Sequence, residues 1–401
     1  MKYLLTLIVA TTLLAGCSKD KDDPDAPPAN TKGEMTVLLK PSLSANIILT
    51  GKNIVINWGD GKEEKFPDLD FKVTGHTYDQ SVSHRIKITG EDVSSFSCMA
   101  QEVTEIDVRE NPALQALDCS TNEISSLDLS KNSYLLYVRC DDNKLTQLGL
   151  SKNTVLESLN CDRNDIATLN VSANTKLKSL SCRYTKLTTL DISHNTALIS
   201  LDGDNNELSA LDLTHNPELQ RLAVNDCRLT QLNIAGNKQL NALECSGNQL
   251  TALDIKANSK ISFLLFGANQ IKTIDLSNQP ALEYLGCALN QLTALDVTNN
   301  PKLINLDCWE NDISNLDVSK NTALTYLNFR TNNLTTIDLS KNTALSDLRC
   351  RSNNFSAESL NSLFNTLHQN PGTKYIDYYD NPGTNTCNSA IATGKGWTIR
   401  F

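Results

Sequence analysis

The chain has 401 residues and a formal net charge of −10. That length exceeds what one compact core normally takes up, so an extended or multi-part architecture is expected. A nucleic-acid binder would carry a basic face, and the acidic balance excludes that class.

Met1-Lys2 opens the chain, and Leu4 to Leu14 is apolar apart from Thr6, Thr11 and Thr12. A bilayer span needs about 20 apolar residues. This shorter run therefore predicts a signal peptide over residues 1–16. It ends in Leu14-Ala15-Gly16-Cys17, which resembles the bacterial lipobox. The resemblance implies cleavage before Cys17 and acylation of its thiol; loss of Lys2 then takes the charge from −10 to −11. Residues 17–33, beginning Ser18-Lys19-Asp20-Lys21-Asp22-Asp23, are too charged and proline-rich to bury a core and read as a flexible tether. An acidic stretch behind a lipidated cysteine resembles the signal that sends some Gram-negative lipoproteins to the cell surface. The expected location is the outer membrane, held by the lipid on Cys17 and facing outward; a spacer facing the periplasm is the alternative.

Residues 34–92 alternate apolar and polar side chains, as in Ile54-Val55-Ile56-Asn57-Trp58 and Arg85-Ile86-Lys87-Ile88-Thr89, which predicts strands. Trp58-Gly59-Asp60-Gly61 and His76-Thr77-Tyr78 resemble the signatures of PKD-like β-sandwiches. Asp60-Gly61 suits a tight hairpin. The segment is short for that family, so it reads as a small β-sandwich-like cap fused to the first coil of a repeat domain, with Asp60 and His76 structural rather than metal-binding.

From Asp107 the strings DVREN, DLSKN, GLSKN, NVSAN, DISHN, DLTHN, NIAGN, DIKAN, DLSNQ, DVTNN, DVSKN and DLSKN recur to Asp338, each 21 residues after the last. Within one repeat, Leu114-x-x-Leu117-x-Cys119-x-x-Asn122 precedes Ile124-x-x-Leu127-x-Leu129-x-x-Asn132. Both halves resemble the leucine-rich repeat, whose period runs from about 20 to 29 residues. So short a repeat has no room for a full helix. The prediction is a mainly β solenoid of about twelve coils over residues 93–354. One coil cannot bury its own apolar edge, so stacking supplies the core. Two asparagine rows, Asn111 to Asn342 and Asn122 to Asn353, are broken by Gln279 in the first and by Thr185 and Cys227 in the second. An inward amide has both donors and an acceptor for neighbouring backbone groups, so both rows read as structural.

Cys98, Cys119, Cys140, Cys161, Cys182, Cys245, Cys287, Cys308 and Cys350 share one register, which Gly203, Val224, Phe266 and Phe329 fill elsewhere. These mostly apolar alternates mark a core slot where cysteine is a small hydrophobe. Thiols pointing the same way from parallel strands are poorly oriented for disulfides, and a straight row offers no tetrahedral metal site. No metal or cofactor is expected; the state of Cys227 and Cys387 stays open. The repeat length together with the cysteine register, over residues 98–354, resembles internalin J-type surface adhesins. That resemblance implies a surface binding protein acting in adhesion, although those proteins are attached to Gram-positive cell walls and this chain carries a lipobox.

Residues 355–401 read as a C-terminal α/β cap. Ser356 begins an amphipathic helix with Leu360, Leu363, Phe364 and Leu367 on one side. Strands around Tyr375–Tyr378 and Trp397–Ile399 come next, with a short segment from Ser389 to Thr393 between them.

The sequence contains no phosphate loop, G-x-S-x-G or H-E-x-x-H, and an enzyme is not expected. Outward positions of the second half-repeat, such as Ser126/Asp128/Ser130 and Thr336/Asp338/Ser340, are near-uniform and read as solvated. Those of the first half-repeat vary. There Phe263, Leu265, Tyr284, Trp309 and Tyr326 cluster beside Arg330, Arg349 and Arg351. Aromatic and arginine side chains dominate interface hot spots, and exposed apolar patches mark interaction sites. These eight residues are the predicted site for a protein partner. A glycan stacked on the rings, or a purely structural envelope role, is the alternative. Asp141, Asp162, Asp202 and Asp204, beside Arg139 and Arg183, form a lesser candidate site for Ca²⁺.

Overall fold

The computed structural model describes residues 26–400. The expected signal peptide, the acylated Cys17 and the first part of the tether lie outside the described residues. The chain divides into two compact units, Met1–Glu207 and Leu208–Phe401.

In the first unit, β1 (Lys32–Leu39), β2 (Ser42–Asn57), β3 (Glu63–Val82), β4 (Arg85–Ser97) and β5 (Val103–Asp107) pair antiparallel in the order β5-β1-β4-β2-β3. The period of two is visible in burial. Ile54, Ile56, Ile86 and Ile88 are fully buried, while Asn57, Arg85 and Lys87 face solvent. Gly59 (φ 85°) and Gly61 (φ 89°) make the turn from β2 to β3 in the left-handed region that favours glycine. The last residues of β4, Ser95–Ser97, pair in parallel with β6 (Ala116–Asp118), so one strand belongs to both the cap and the solenoid. β7 (Tyr137–Arg139), β8 (Ser158–Asn160), β9 (Ser179–Ser181) and β10 (Ser200–Asp202) continue the parallel stack one repeat apart.

The second unit repeats this design. Parallel rungs β11 (Arg221–Ala223), β12 (Ala242–Glu244), β13 (Phe263–Leu265), β14 (Tyr284–Gly286), β15 (Asn305–Asp307), β16 (Tyr326–Asn328) and β17 (Asp347–Arg349) are spaced at the repeat length. Helix α1 (Ala357–Thr366) then buries Leu360, Leu363 and Phe364, and the Ser356 hydroxyl caps it by accepting from Ser359 N–H at 3.1 Å. β18 (Lys374–Asp377), α2 (Ala390–Thr393) and β19 (Trp397–Ile399) complete the cap, both strands pairing in parallel with the stack. The described residues thus hold fifteen parallel rungs rather than the twelve read from the repeat, because β4 joins one 21-residue interval ahead of β6, before the first repeat string, and β18 and β19 join after the last one, outside that spacing.

Two rows of asparagine satisfy the turns between rungs, in different ways. In the second row, Asn122 Oδ1 accepts from Gln101 and Val103 N–H at 3.1 and 2.9 Å, and its Nδ2 donates to the carbonyls of Cys98, Cys119 and Ser120. The first row uses its donors: Asn132 Nδ2 donates to the carbonyls of Val108 at 2.8 Å and Asn111 at 2.9 Å. The cysteine register is 0–1% exposed, with no disulfide at Cys119, Cys140, Cys287 or Cys308.

Candidate functional site

Each three-residue rung of the second unit turns its central leucine inward. Leu264, Leu285, Leu306, Leu327 and Leu348 are at most 1% exposed. The flanking residues therefore share the outer face of the sheet. Register aligns Phe263, Tyr284, Asn305, Tyr326, Asp347 and Tyr375 in one row, and Leu265, Gly286, Asp307, Asn328, Arg349 and Asp377 in a second. Trp309, Arg330 and Arg351 lie just beyond their strands, at one further position per rung.

The eight predicted residues share this face but separate into groups. Phe263 and Tyr284 pack ring to ring, with centroids 5.7 Å apart at 43°. Leu265 leans over Gly286, where an added Cβ would come within 2.6 Å of its Cδ2. The Arg330 guanidinium carbon lies 4.7 Å from the Trp309 ring centroid, and that of Arg349 lies 5.0 Å from Tyr326. Arg351 stands apart, ion-paired with Asp380. Asn305 and Asp307 interrupt the apolar surface between Tyr284 and Tyr326.

Much of the charge is internally balanced. Arg349 holds Asp347 at 3.1 Å through both Nε and Nη2. Burial pushes the Asp307 carboxyl up, while Asn328 Nδ2 donates to it at 2.9 Å. Burial also raises Asp377 and Tyr326.

Sequence reasoning missed two contributors. Tyr375 continues the aromatic row, and Arg400 covers its ring with the guanidinium carbon 3.2 Å from the centroid. It escaped because α1 separates β17 from β18, so Tyr375 falls out of the repeat spacing; the strand alternation in Lys374-Tyr375-Ile376-Asp377 was the available signal. Leu289, in the turn after β14, is 37% exposed, and Tyr284 at the start of that strand is 40% exposed. Its signal was the turn slot it occupies, filled by threonine, aspartate or glycine at Thr331, Asp226 and Gly247.

The acidic group of the first unit is interleaved with arginine. Asp162 accepts from Ser181 Oγ, Arg183 N and Arg183 Nε at 2.7, 2.7 and 2.8 Å. Arg139 lies 3.6 Å from Asp118, which sequence reasoning left out of the cluster, and 3.4 Å from Asp141. Guanidinium groups thus stand where a cation would need carboxylates to converge, and no metal-holding set occurs among the described residues. Asp202, 3.6 Å from Arg183, is pushed up to about 7, first by burial and then by the charge of Asp204.

In the cap, Trp58, His76 and Tyr78 form one packed cluster. His76 stacks on Trp58 at 5.0 Å and its Nε2 meets Asp60 Oδ2 at 2.8 Å, while the Tyr78 hydroxyl donates to the Trp58 carbonyl at 2.9 Å. Asp60 and His76 thereby tie the hairpin turn to the cap's own core. Burial, then the Asp60 charge, raises Tyr78 to about 12. Burial likewise drives up the thiols of the cysteine register, Cys245 to about 12.

No family model matches the sequence, and comparison with curated proteins finds no match. Among solved structures, the functional domain of InlJ from Listeria monocytogenes, which includes a cysteine ladder, is 31% identical. The match has a TM-score of 0.59 and spans 74% of this chain and 77% of that one. The internalin inlF of the same organism is 22% identical, with a TM-score of 0.62 over 77% and 86%. The Arabidopsis receptor kinase HAESA, in complex with the peptide hormone IDA and the co-receptor SERK1, is 20% identical, with a TM-score of 0.62 over 77% and 58%. The last two likenesses show the fold alone.

Proposed function

Because the chain belongs to the leucine-rich-repeat family, with the cysteine ladder found in InlJ, we propose that it is a non-enzymatic binding protein. It holds a protein partner on the outer sheet face of its C-terminal unit. Proteins of this fold are generally binding modules, and HAESA was solved with a peptide hormone bound. The supporting observation is local: Phe263, Leu265 and Tyr284 place contiguous apolar surface, uncovered by any guanidinium group, on a face where Trp309, Tyr326 and Tyr375 each lie under an arginine.

The covered rings favour a protein over a glycan. A sugar stacks on an open aromatic face, whereas guanidinium groups already occupy the faces of Trp309 and Tyr326. Aromatic and arginine pairs of this kind serve protein interfaces well. Attachment through acylated Cys17 and an outward-facing position on the outer membrane rest on the sequence pattern at the N-terminus, and a role in adhesion rests on the likeness to InlJ.

Binding of candidate proteins and glycans to the full chain is compared with that of the Phe263→Ala/Tyr284→Ala/Trp309→Ala variant, shown by circular dichroism to be folded. A protein held by the parent and lost by the variant supports the reading. Equal capture by both removes the face from consideration. Palmitate incorporation that survives Cys17→Ser would remove the anchor.

A further inference from the structure

Each coil closes its first-half turn with one residue in the left-handed region. In the second unit these are Asp226, Gly247, Ala268, Leu289, Glu310, Thr331, Ser352 and Asp380, with φ between 52° and 67°. Glycine accepts that conformation without steric cost, and aspartate or asparagine accepts it more readily than a bulky apolar residue does. Leu289 has φ 56° and its backbone is held from both sides: its N–H donates to the Trp309 carbonyl at 3.0 Å, and its carbonyl accepts from Asn269 N–H at 3.2 Å. Yet its side chain is 37% exposed. The adjoining coils carry Ala268 and Glu310 in the same conformation, so what sets Leu289 apart is its side chain: it is the one large aliphatic residue among the eight, and it stands exposed.

The surroundings say what would cover it. Leu289 comes directly after Ala288, and Gly267 leaves the adjoining floor open: a Cβ there would sit 3.0 Å from the Ala288 carbonyl oxygen. Leu265, Gly286 and the Phe263–Tyr284 pair lie on β13 and β14, the strands that lead into the turns of Ala268 and Leu289, so the apolar residues of these two coils run from the sheet to its rim. Glu283 and Glu310 flank them, and neither has an ion-pair partner within 4.0 Å among the described residues. In the next coil the Arg330 carbonyl accepts from Glu310 N–H at 3.0 Å while its guanidinium lies over Trp309, and Arg349 and Arg351, further along the stack, are held by Asp347 and Asp380.

Resting on the binding face proposed above, we infer that Leu289 is the centre of the epitope. The partner is a protein segment that seats an apolar side chain on Leu289 and Gly286 and sets a lysine or arginine beside it, against Glu310. Apolar burial supplies affinity and the carboxylates supply selectivity.

A displayed random-peptide library selected on the full chain tests this. Expected clones combine an aromatic or aliphatic residue with an adjacent basic one. They should lose at least tenfold in affinity to Leu289→Asn and a few-fold to Glu310→Gln. Leu289→Asn should melt no lower than the parent, which separates lost contact from lost structure. Clones that bind Leu289→Asn as well as the parent but fail on the triple aromatic variant overturn the inference and leave the face standing. Clones indifferent to every variant, or enriched in acidic residues, overturn it too, as does a selection that yields no clone on the parent. Chain association weakened by Leu289→Asn would instead assign the patch to a second copy.

Discussion

The guanidinium of Arg330 covers the ring of Trp309, 4.7 Å from carbon to centroid. The other two tryptophans, Trp58 and Trp397, are 0% and 2% exposed, so quenching of intrinsic fluorescence by acrylamide reports mainly on Trp309. Arg330→Ala should raise that quenching, and Arg351→Ala should leave it unchanged. A double-mutant cycle on Arg330 and Trp309 should return a coupling of about 0.5–1 kcal/mol. Equal quenching of parent and Arg330→Ala would show that the ring is open in solution, and would restore the case for a sugar.

The cysteine register should tolerate size and oppose polarity. Cys308→Val places at one coil the residue that Val224 supplies at another, and should change stability by less than about 1.5 kcal/mol. Cys308→Ser leaves a hydroxyl in an apolar slot and should cost about 1–3 kcal/mol. Urea unfolding distinguishes the two. In the native chain, Ellman's reagent should reach Cys387, which is half-buried, ahead of the fully buried ladder.

The asparagine row should be costly to lose. Asn143 Oδ1 accepts from Ile124 N–H at 2.9 Å, and its Nδ2 donates to the carbonyls of Cys119, Cys140 and Asp141 at 2.9, 3.2 and 3.2 Å. Asn143→Ala strands several buried backbone groups and should cost at least about 2 kcal/mol. Asn143→Thr should cost less, because Thr185 already fills the slot in one coil and donates to the Cys182 carbonyl at 2.7 Å. Equal losses for both would mean that the slot acts by volume alone.

Asp202 gives the first unit an unusual pH response. Its carboxyl is pushed up to about 7, first by burial and then by the Asp204 charge. Between the unfolded value near 4 and about 7 the folded chain therefore binds more protons than the unfolded one. This group's contribution to stability falls as pH rises through that window. Asp202→Asn should raise the melting temperature at pH 8 and lose that advantage at about pH 4. A benefit that is the same at both pH values would trace to packing rather than to the charge.

The repeat was legible because it is local. Leu114, Leu117, Cys119 and Asn122 carry the whole logic of a coil within nine residues, and the spacing then copies it. Helix α1 was legible for the same reason, from its Ser356 cap and its apolar face. The extra rungs were not. β4 enters the solenoid from an antiparallel sheet, so it keeps the 21-residue spacing but comes before the first of the repeat strings that announce the others, and β18 comes after an inserted helix and loses the spacing itself. The site was legible as a set of residues on one face. Its division into a Phe263–Tyr284 patch and capped Trp309 and Tyr326 rings was not.

The sequence by itself determined the period, the inward leucines and cysteines, and the face on which variable side chains stand. Each of these comes from the alternation of a strand and from the need of stacked coils to bury one edge. Only the tertiary structure decided which rings remain open. Arg330 and Trp309 are 21 residues apart, and Arg400 and Tyr375 are 25 apart. Whether such side chains meet depends on how neighbouring rungs align them, which no local pattern encodes.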